Sequence, residues 1–510
     1  MLTVISYGQK ATINIQVLPD DVLLEIFSFY LCDADPDWYD YLKHTGKWKT
    51  WQKLVHICQR WRRIVFASPR RLKLHLTCSY GTPVRKNLAF WPVIYPLILN
   101  YPVYGFRPGD EDNIIFALEH ARRVYHINIL ATSALLGQVF TAMQRPFPAL
   151  ADLKLRWTAW NFHRDFSNPF PFIPGRFLGG SAPRLRHLHF EEISFPQFPT
   201  FLWSAHNLLT LKLKDIHYVG HISPDALVRG LAALTRLWHL SFSFCDRTAP
   251  SDQWRSRLYP SMRATIPSLA HFHYRGCGNY LEDLLAHIDA PQLEHVSIKY
   301  VTRQMQVPQL SQLINRTENL KVNQFRRATI TFCYDYIRFE LDWSQGESRE
   351  PQICLKFMWH EDLDVQVPRL VHLLGQLAMF SKVDHLIVSG YFITSRDMDL
   401  TDWLPFFRLF PTVETLKLCR AVAAYIASAL EDTADPENSE IVAGIFPALY
   451  FLGLETIDEE DNNDELDYNK PVGSIERFLS LRRLSGRPVT VLHTRDRDGA
   501  IGADQNHVSP

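Results

Sequence analysis

The sequence predicts an α/β solenoid of parallel strands with helical or irregular returns, preceded by a small all-α cap. Three observations carry this expectation. From about residue 120 a unit recurs, made of one apolar residue, two variable ones and then apolar-x-apolar. Proline stands ahead of many copies, and the segments between copies carry helix starts and apolar stripes of helical period. Ahead of the repeats, within residues 15–75, lie two amphipathic helical segments.

Length and composition agree with an extended array. At 510 residues the chain exceeds what one compact core holds. Hydrophobic content of 46% and charged content of 21% are those of an ordinary globular protein. The formal net charge of +0 supplies no global field to recruit nucleic acid or an anionic membrane. Eight scattered cysteines without a C-x-x-C pair fit neither a disulfide framework nor a zinc finger, and point to a reducing compartment. The start, Met1 to Tyr7, lacks a basic leader region, and no window reaches the roughly 18 apolar residues of a membrane helix. The expected location is cytoplasmic or nuclear, with no nucleic-acid and no membrane partner.

Residues 1–14 form an N-terminal segment. In 15–75, Pro19 sits where a helix begins, since it lacks the N–H that goes unsatisfied there. Asp20 and Asp21 suit the positive end of the helix dipole. Val22, Leu23, Ile26, Phe27 and Tyr30 then share one face. A second helix carries Trp51, Leu54, Val55, Cys58, Trp61 and Val65 on a stripe and ends near Pro69. Residues 43–73 are strongly basic, which reads as a solvated helix face or a surface for an acidic partner, ahead of a nucleic-acid patch.

The pattern from Leu18-Pro19 through Val22-Leu23 to Ile26-Phe27, followed by Val55-x-x-Cys58-x-x-Trp61-Arg62, resembles the F-box, which docks on the Skp1 adaptor of cullin–RING ubiquitin ligases. Trp51 to Trp61-Arg62 and Ser68-Pro69-Arg70-Arg71-Leu72 are similar to the F-box-like proteins of mushroom-forming fungi. The resemblance covers about residues 15–75. Asp21 replaces the usual glutamate, and the connection 32–49, with Trp38, Tyr39, Tyr41 and Trp48, is longer than usual. The resemblance implies an adaptor contact made by Leu18, Pro19, Leu23, Ile26, Phe27, Cys58 and Trp61. Without it, the same helices read as a cap on one end of the array.

Residues 76–120 read as a linker or capping region, and 121–300 as the first repeats. Copies start at Val124, Leu150, Leu185, Leu208, Leu237, Leu269 and Leu293, then at Val383, Val413 and Leu449. Unbroken spacings of 23–36 residues belong to leucine-rich repeats, one strand and one return per unit. Pro148, Pro183, Pro267, Pro291, Pro411 and Pro447 end the preceding segment. Ser223-Pro224-Asp225 starts a helix with Leu227, Val228, Leu231 and Leu234 inside. Residues 368–380 and 422–430 have the same character. In 301–365 the repeats falter, and Ala328–Phe332, Ile337–Leu341 and Ile353–Phe357 read as strands of degenerate repeats or of an inserted hairpin. Repeats resume over 366–494, interrupted by an acidic loop at 458–467, and 495–510 reads as a polar tail.

No catalytic constellation is present. Gly276-Cys277-Gly278 begins like a dinucleotide loop, but Leu281 occupies the place of the third glycine. His126, His187, His239, His271, His295 and His385 all take the third place of the repeat. Stacking sets neighbours near 5 Å apart, a ladder able to sense pH or bind metal. Asp152, Thr210, Thr415 and Phe451 interrupt it, so the position reads as a turn whose imidazole bonds backbone. His187/His189 and His271/His273 are spaced like metal pairs, with no carboxylate or cysteine to complete a site. No catalytic residue, cofactor or metal ligand is therefore assigned. Cys245 and Cys277 fall where such repeats bond the turn backbone. On the concave face Lys154, Arg156, Lys212, Lys214, Arg275, Lys299 and Lys417, against Glu191 and Glu455, form a mildly basic surface for an acidic or phosphorylated peptide.

The expected molecule is the substrate receptor of an SCF-type (Skp1–cullin–F-box) ubiquitin ligase, binding a Skp1-type adaptor, through it a cullin, and an unknown protein target. The alternatives are an interaction scaffold without ligase activity and an enzyme built in the irregular 300–360 region.

Overall fold

The structure is a computed structural model. It describes residues 2–495 except 33–49, 103–106, 158–170, 218–221, 246–262, 302–306, 321–324, 344–350, 392–399, 433–443, 457–474 and a few isolated positions. The aromatic connection at 33–49, the acidic loop and the tail after Arg495 lie outside the described residues. Two compact units divide the chain, 1–193 with 199–208 and 194–198 with 209–510. Both are α/β with parallel-dominated sheets.

The first unit opens with an antiparallel hairpin, β1 (Leu2–Ser6) and β2 (Gln9–Ile13). Helix α1 (Asp20–Cys32) follows Pro19, whose carbonyl accepts the Leu23 N–H. The second expected helix is two helices, α2 (Thr50–Val55) and α3 (Gln59–Ala67). The break has a local cause: Cys58 is extended, and its sulfur accepts the Trp61 N–H at 3.5 Å, capping α3. Trp51 and Phe66 pack edge-on against Trp91 and tilted against Tyr95, and the Trp51 indole donates to the His75 carbonyl, so α2 and α3 rest on the start of the array.

Strands β3 (Leu76–Cys78), β4 (Leu97–Tyr101), β5 (Val124–Ala131), β6 (Asp152–Trp157) and β7 (His187–Glu191) pair in chain order, each parallel to the last. The segment expected as a linker or capping region carries β3 and β4, both paired in the sheet. Its returns are α4 (Val84–Phe90) and α5 (Asp110–Glu119), and α6 (Ser133–Ala142) follows β5.

The second unit continues the same alternation with β8 (Thr210–Ile216), α7 (Pro224–Ala232) and β9 (His239–Phe244). A short pair follows, β10 (Ala264–Thr265) with β12 (Ile288–Asp289), flanking β11 (His271–Gly276) and α8 (Gly278–Ala286). Next come β13 (His295–Tyr300) and α9 (Pro308–Arg316). The Ser223 side chain caps α7 by accepting the Ala226 N–H, and Leu227, Val228, Leu231 and Leu234 are buried as the stripe requires.

After α9 the order changes. Strands β14 (Arg327–Cys333), β15 (Tyr336–Asp342) and β16 (Ile353–Phe357) form a meander placed so that β16 pairs parallel with β13 and β14 pairs parallel with the later β17 (His385–Tyr391). Within this meander β15 runs antiparallel to both neighbours. The three strands expected in this region are present, β14 and β15 as an antiparallel pair, and they extend the sheet. It leads into α10 (Leu363–Leu377), which contains Pro368 instead of beginning there. Then come α11 (Leu400–Arg408), β18 (Thr415–Arg420), α12 (Ala421–Asp432), β19 (Phe451–Thr456), α13 (Glu476–Leu484) and β20 (Thr490–Arg495).

Several repeats are held in the same way. The three apolar places are interior: Leu237, Leu240 and Phe242, or Val413, Leu416 and Leu418, are at most 1% exposed. Burying each stabilises the fold by about 1.5–3 kcal/mol. At the turn into the strand, two successive N–H groups donate to one carbonyl of the preceding repeat. Trp238 and His239 donate to Leu209, Ala270 and His271 to Trp238, Glu294 and His295 to Ala270, and Glu414 and Thr415 to Asp384. This shared carbonyl satisfies the backbone where the chain leaves its return segment.

Candidate recognition face

Alternating burial along β11 and β13 sends Phe272, Tyr274, Val296 and Ile298 into the core. It leaves His271, His273 and Arg275, with His295, Ser297 and Lys299, on the opposite, open face. Parallel register aligns these side chains into rows across the sheet.

The first row is Thr210, His239, His271 and His295. The expected spacing is present: ring centroids are 5.9 Å apart for His239 and His271, and 4.5 Å for His271 and His295, which lie within 9° of parallel. Trp238 also packs against His271, tilted, at 4.2 Å. His273, one row further, stands 4.9 Å from His239. Burial, the charge of Lys212, then His273, His271 and Lys214 push the His239 imidazole down to about 3, so it is neutral at pH 7.

The third row is cationic. Arg275 faces Lys299, Lys299 faces Lys356, and Lys356 faces Arg338, on four adjacent strands. The expected Arg275 and Lys299 are joined by Lys356 and Arg338, whose place in the sheet the sequence pattern does not show. Partial compensation comes from Asp215, 3.8 Å from Arg275, and Glu340, 2.5 Å from Arg338. The Lys356 ammonium sits 3.4 Å above the Tyr336 ring.

Other expected surface residues fall elsewhere. Lys154 is buried, and the Arg156 guanidinium donates to the Pro102 carbonyl. Lys212 is half-buried and Lys214 exposed, both acting on His239. Lys417 pairs with Glu455 at 2.8 Å. In the first unit Asp152 lies 3.8 Å from both His126 and His187, and Glu191 lies 3.6 Å from His189. Those histidines therefore do have carboxylates close by, brought from the adjacent strand or from two residues along the same one.

Among the adaptor-contact residues, Leu23 and Phe27 are interior, with the Trp61 ring packed on Phe27 at 4.6 Å. Leu18, Ile26, Cys58 and Trp61 are half-buried, and Pro19 is exposed. Arg60 donates to the Leu18 carbonyl and pairs with Asp20 at 2.6 Å, fixing the turn that presents Pro19. Arg71 pairs with Glu25, so part of the basic segment is neutralised locally. In the same N-terminal helical segment, large apolar side chains stand in water: Val17 is 79% exposed, Phe29 76% and Ile57 57%.

The seven described cysteines are free. Cys277 starts α8, and its carbonyl accepts the Tyr274 hydroxyl at 2.8 Å, while the Cys245 N–H donates to Ile216. Burial pushes the Cys78 thiol up to about 12 and raises Cys333 and Cys354, so none of these three is a ready nucleophile. No helix among the described residues is long and apolar enough to cross a membrane.

This geometry defines a strand–helix repeat array with an ordered polar strand face. No protein-family model and no curated protein matches the chain. The solved structure of the leucine-rich repeat-containing protein LegL7 from Legionella pneumophila is similar over 82% of this chain and 99% of that one, at 12% identity and a TM-score of 0.25. A likeness of that size carries no argument. The repeat architecture stands on strand register and the buried apolar triplets.

Proposed function

We propose that this chain is a leucine-rich-repeat receptor with no catalytic residues of its own. Its open strand face holds an acidic or phosphorylated segment of a target protein. Its N-terminal helices dock a Skp1-type adaptor and, through it, a cullin, in the cytosol or nucleus. The chain is then the substrate-recognition subunit of an SCF-type ubiquitin ligase, and it works by raising the effective concentration of target beside the conjugating machinery.

The observation that carries the target half is the row Arg275, Lys299, Lys356 and Arg338 in direct register. Like charges placed opposite one another on adjacent strands cost stability, and an anionic ligand reverses that cost. The docking half is supported by the Leu18–Phe27 motif and by the exposed Val17, Phe29 and Ile57 around it.

A pull-down of the purified chain with a Skp1-type adaptor tests docking. Since Leu23 and Phe27 are interior, the variants are made at the surface, with Val22→Glu and Phe29→Glu together. Adaptor capture should be lost with thermal stability unchanged; undiminished capture defeats docking through this motif. The packing of Trp51 and Phe66 on Trp91 and Tyr95 favours a second reading, in which the helices only close the array. That scaffold binds its target and never the adaptor.

A further inference from the structure

We propose that His239, His271 and His273 form a binding site for one divalent transition-metal ion of the zinc class. Each offers a ring nitrogen, and these atoms all lie within 4.8 Å of one another. His239 and His271 are register partners on β9 and β11, and His273 follows two residues later on the same face. Two rigid parallel strands thus present three imidazoles without a loop.

A tetrahedral ion with Zn–N bonds of about 2.0–2.1 Å needs ligand nitrogens about 3.3 Å apart. Closing from at most 4.8 Å to that distance is a change of about 1.5 Å per pair, a distance that rotation about imidazole side-chain torsions spans. The His271 ring is already packed against His295 at 4.5 Å and Trp238 at 4.2 Å. Three nitrogen donors suit zinc, copper or nickel, and not the oxygen-seeking magnesium or calcium. Three protein ligands leave a fourth position open on the half-exposed face. The ammonium groups of Lys212 and Lys214, whose charges reach His239, favour an anion there. This proposal does not depend on the adaptor or on the cation row.

Chelator-stripped full-length chain is titrated with Zn2+ against a chromophoric competitor. One ion per chain should bind, with Kd below about 10 μM. His239→Gln and His273→Gln should each weaken binding by about 30-fold or more, while His295→Gln, outside the triad, should stay within about threefold. X-ray absorption at the zinc edge of the wild-type protein reads the ligands without any variant and should show a nitrogen shell containing imidazole. Absence of stoichiometric binding, a thiolate shell, or undiminished binding in the double variant His239→Gln/His273→Gln overturns the site.

Discussion

Lys299→Gln should make the free protein more stable. Lys299 stands between Arg275 and Lys356, one strand away on each side. At the usual strand spacing of about 4.8 Å, two unit charges in water repel by about 0.9 kcal/mol. Screening at physiological salt, with a Debye length of about 8 Å, leaves roughly half of that per neighbour. Two neighbours sum to about 1 kcal/mol, and splaying of the long side chains, with Asp215 3.8 Å from Arg275, reduces this to about 0.5 kcal/mol. Urea unfolding of wild type and variant at one salt concentration measures the difference. Raising the salt should stabilise the wild type more than the variant, since the repulsion is what salt removes. A variant less stable than wild type by 0.5 kcal/mol or more, or an equal salt response, would refute a row kept for ligand binding at the expense of the fold.

Two further perturbations probe the scaffold. In α7 a Cβ at Gly230 would meet the Phe198 ring at 2.3 Å, so Gly230→Ala should destabilise by about 1–3 kcal/mol, although alanine is the better helix former by about 1 kcal/mol; calorimetry showing a gain refutes the close packing. Glu282 caps α9 by accepting the Gln309 and Leu310 N–H groups, yet burial outweighs those bonds and raises its carboxyl from 4.5 to about 7. A raised folded-state pKa means that the folded chain holds the extra proton, so its contribution is full below pH 4.5 and fades as pH climbs through 7. Relative to Glu282→Gln, the wild type should lose on the order of 1–2 kcal/mol between acidic and mildly alkaline pH, allowing for partial exposure; parallel urea-unfolding profiles of the two proteins contradict this.

The array was legible where its physics is local. Three interior places per repeat force an apolar triplet that recurs whatever the return segment does, and Val124–Ile129 through Leu449–Leu454 announce their strands in this way. Strand β4 escaped because Leu97 to Tyr101 are all buried, so no alternation marks them. The split between α2 and α3 escaped because the apolar stripe continues across Cys58, while the break depends on one extended residue and a sulfur acceptor. Place in the sheet is set by pairing between distant segments. The strands at Ala328, Ile337 and Ile353 could be recognised, but not that β16 returns beside β13 and brings Lys356 and Arg338 into line with Lys299. Register likewise joins His239 to His271 and His273, and brings Asp152 between His126 and His187. Lys154 shared the spacing of the exposed cations and is nonetheless interior.

The most direct measurement is a separation of functions in the intact protein. Lys299→Glu with Lys356→Glu is compared with wild type for binding of the purified Skp1-type adaptor and for capture of target proteins from the cells of origin, with and without prior phosphatase treatment. For a receptor with a cationic target face, the variant keeps the adaptor at wild-type affinity and loses its targets. Targets retained at wild-type levels by the variant, or an adaptor bound by neither protein, would contradict it.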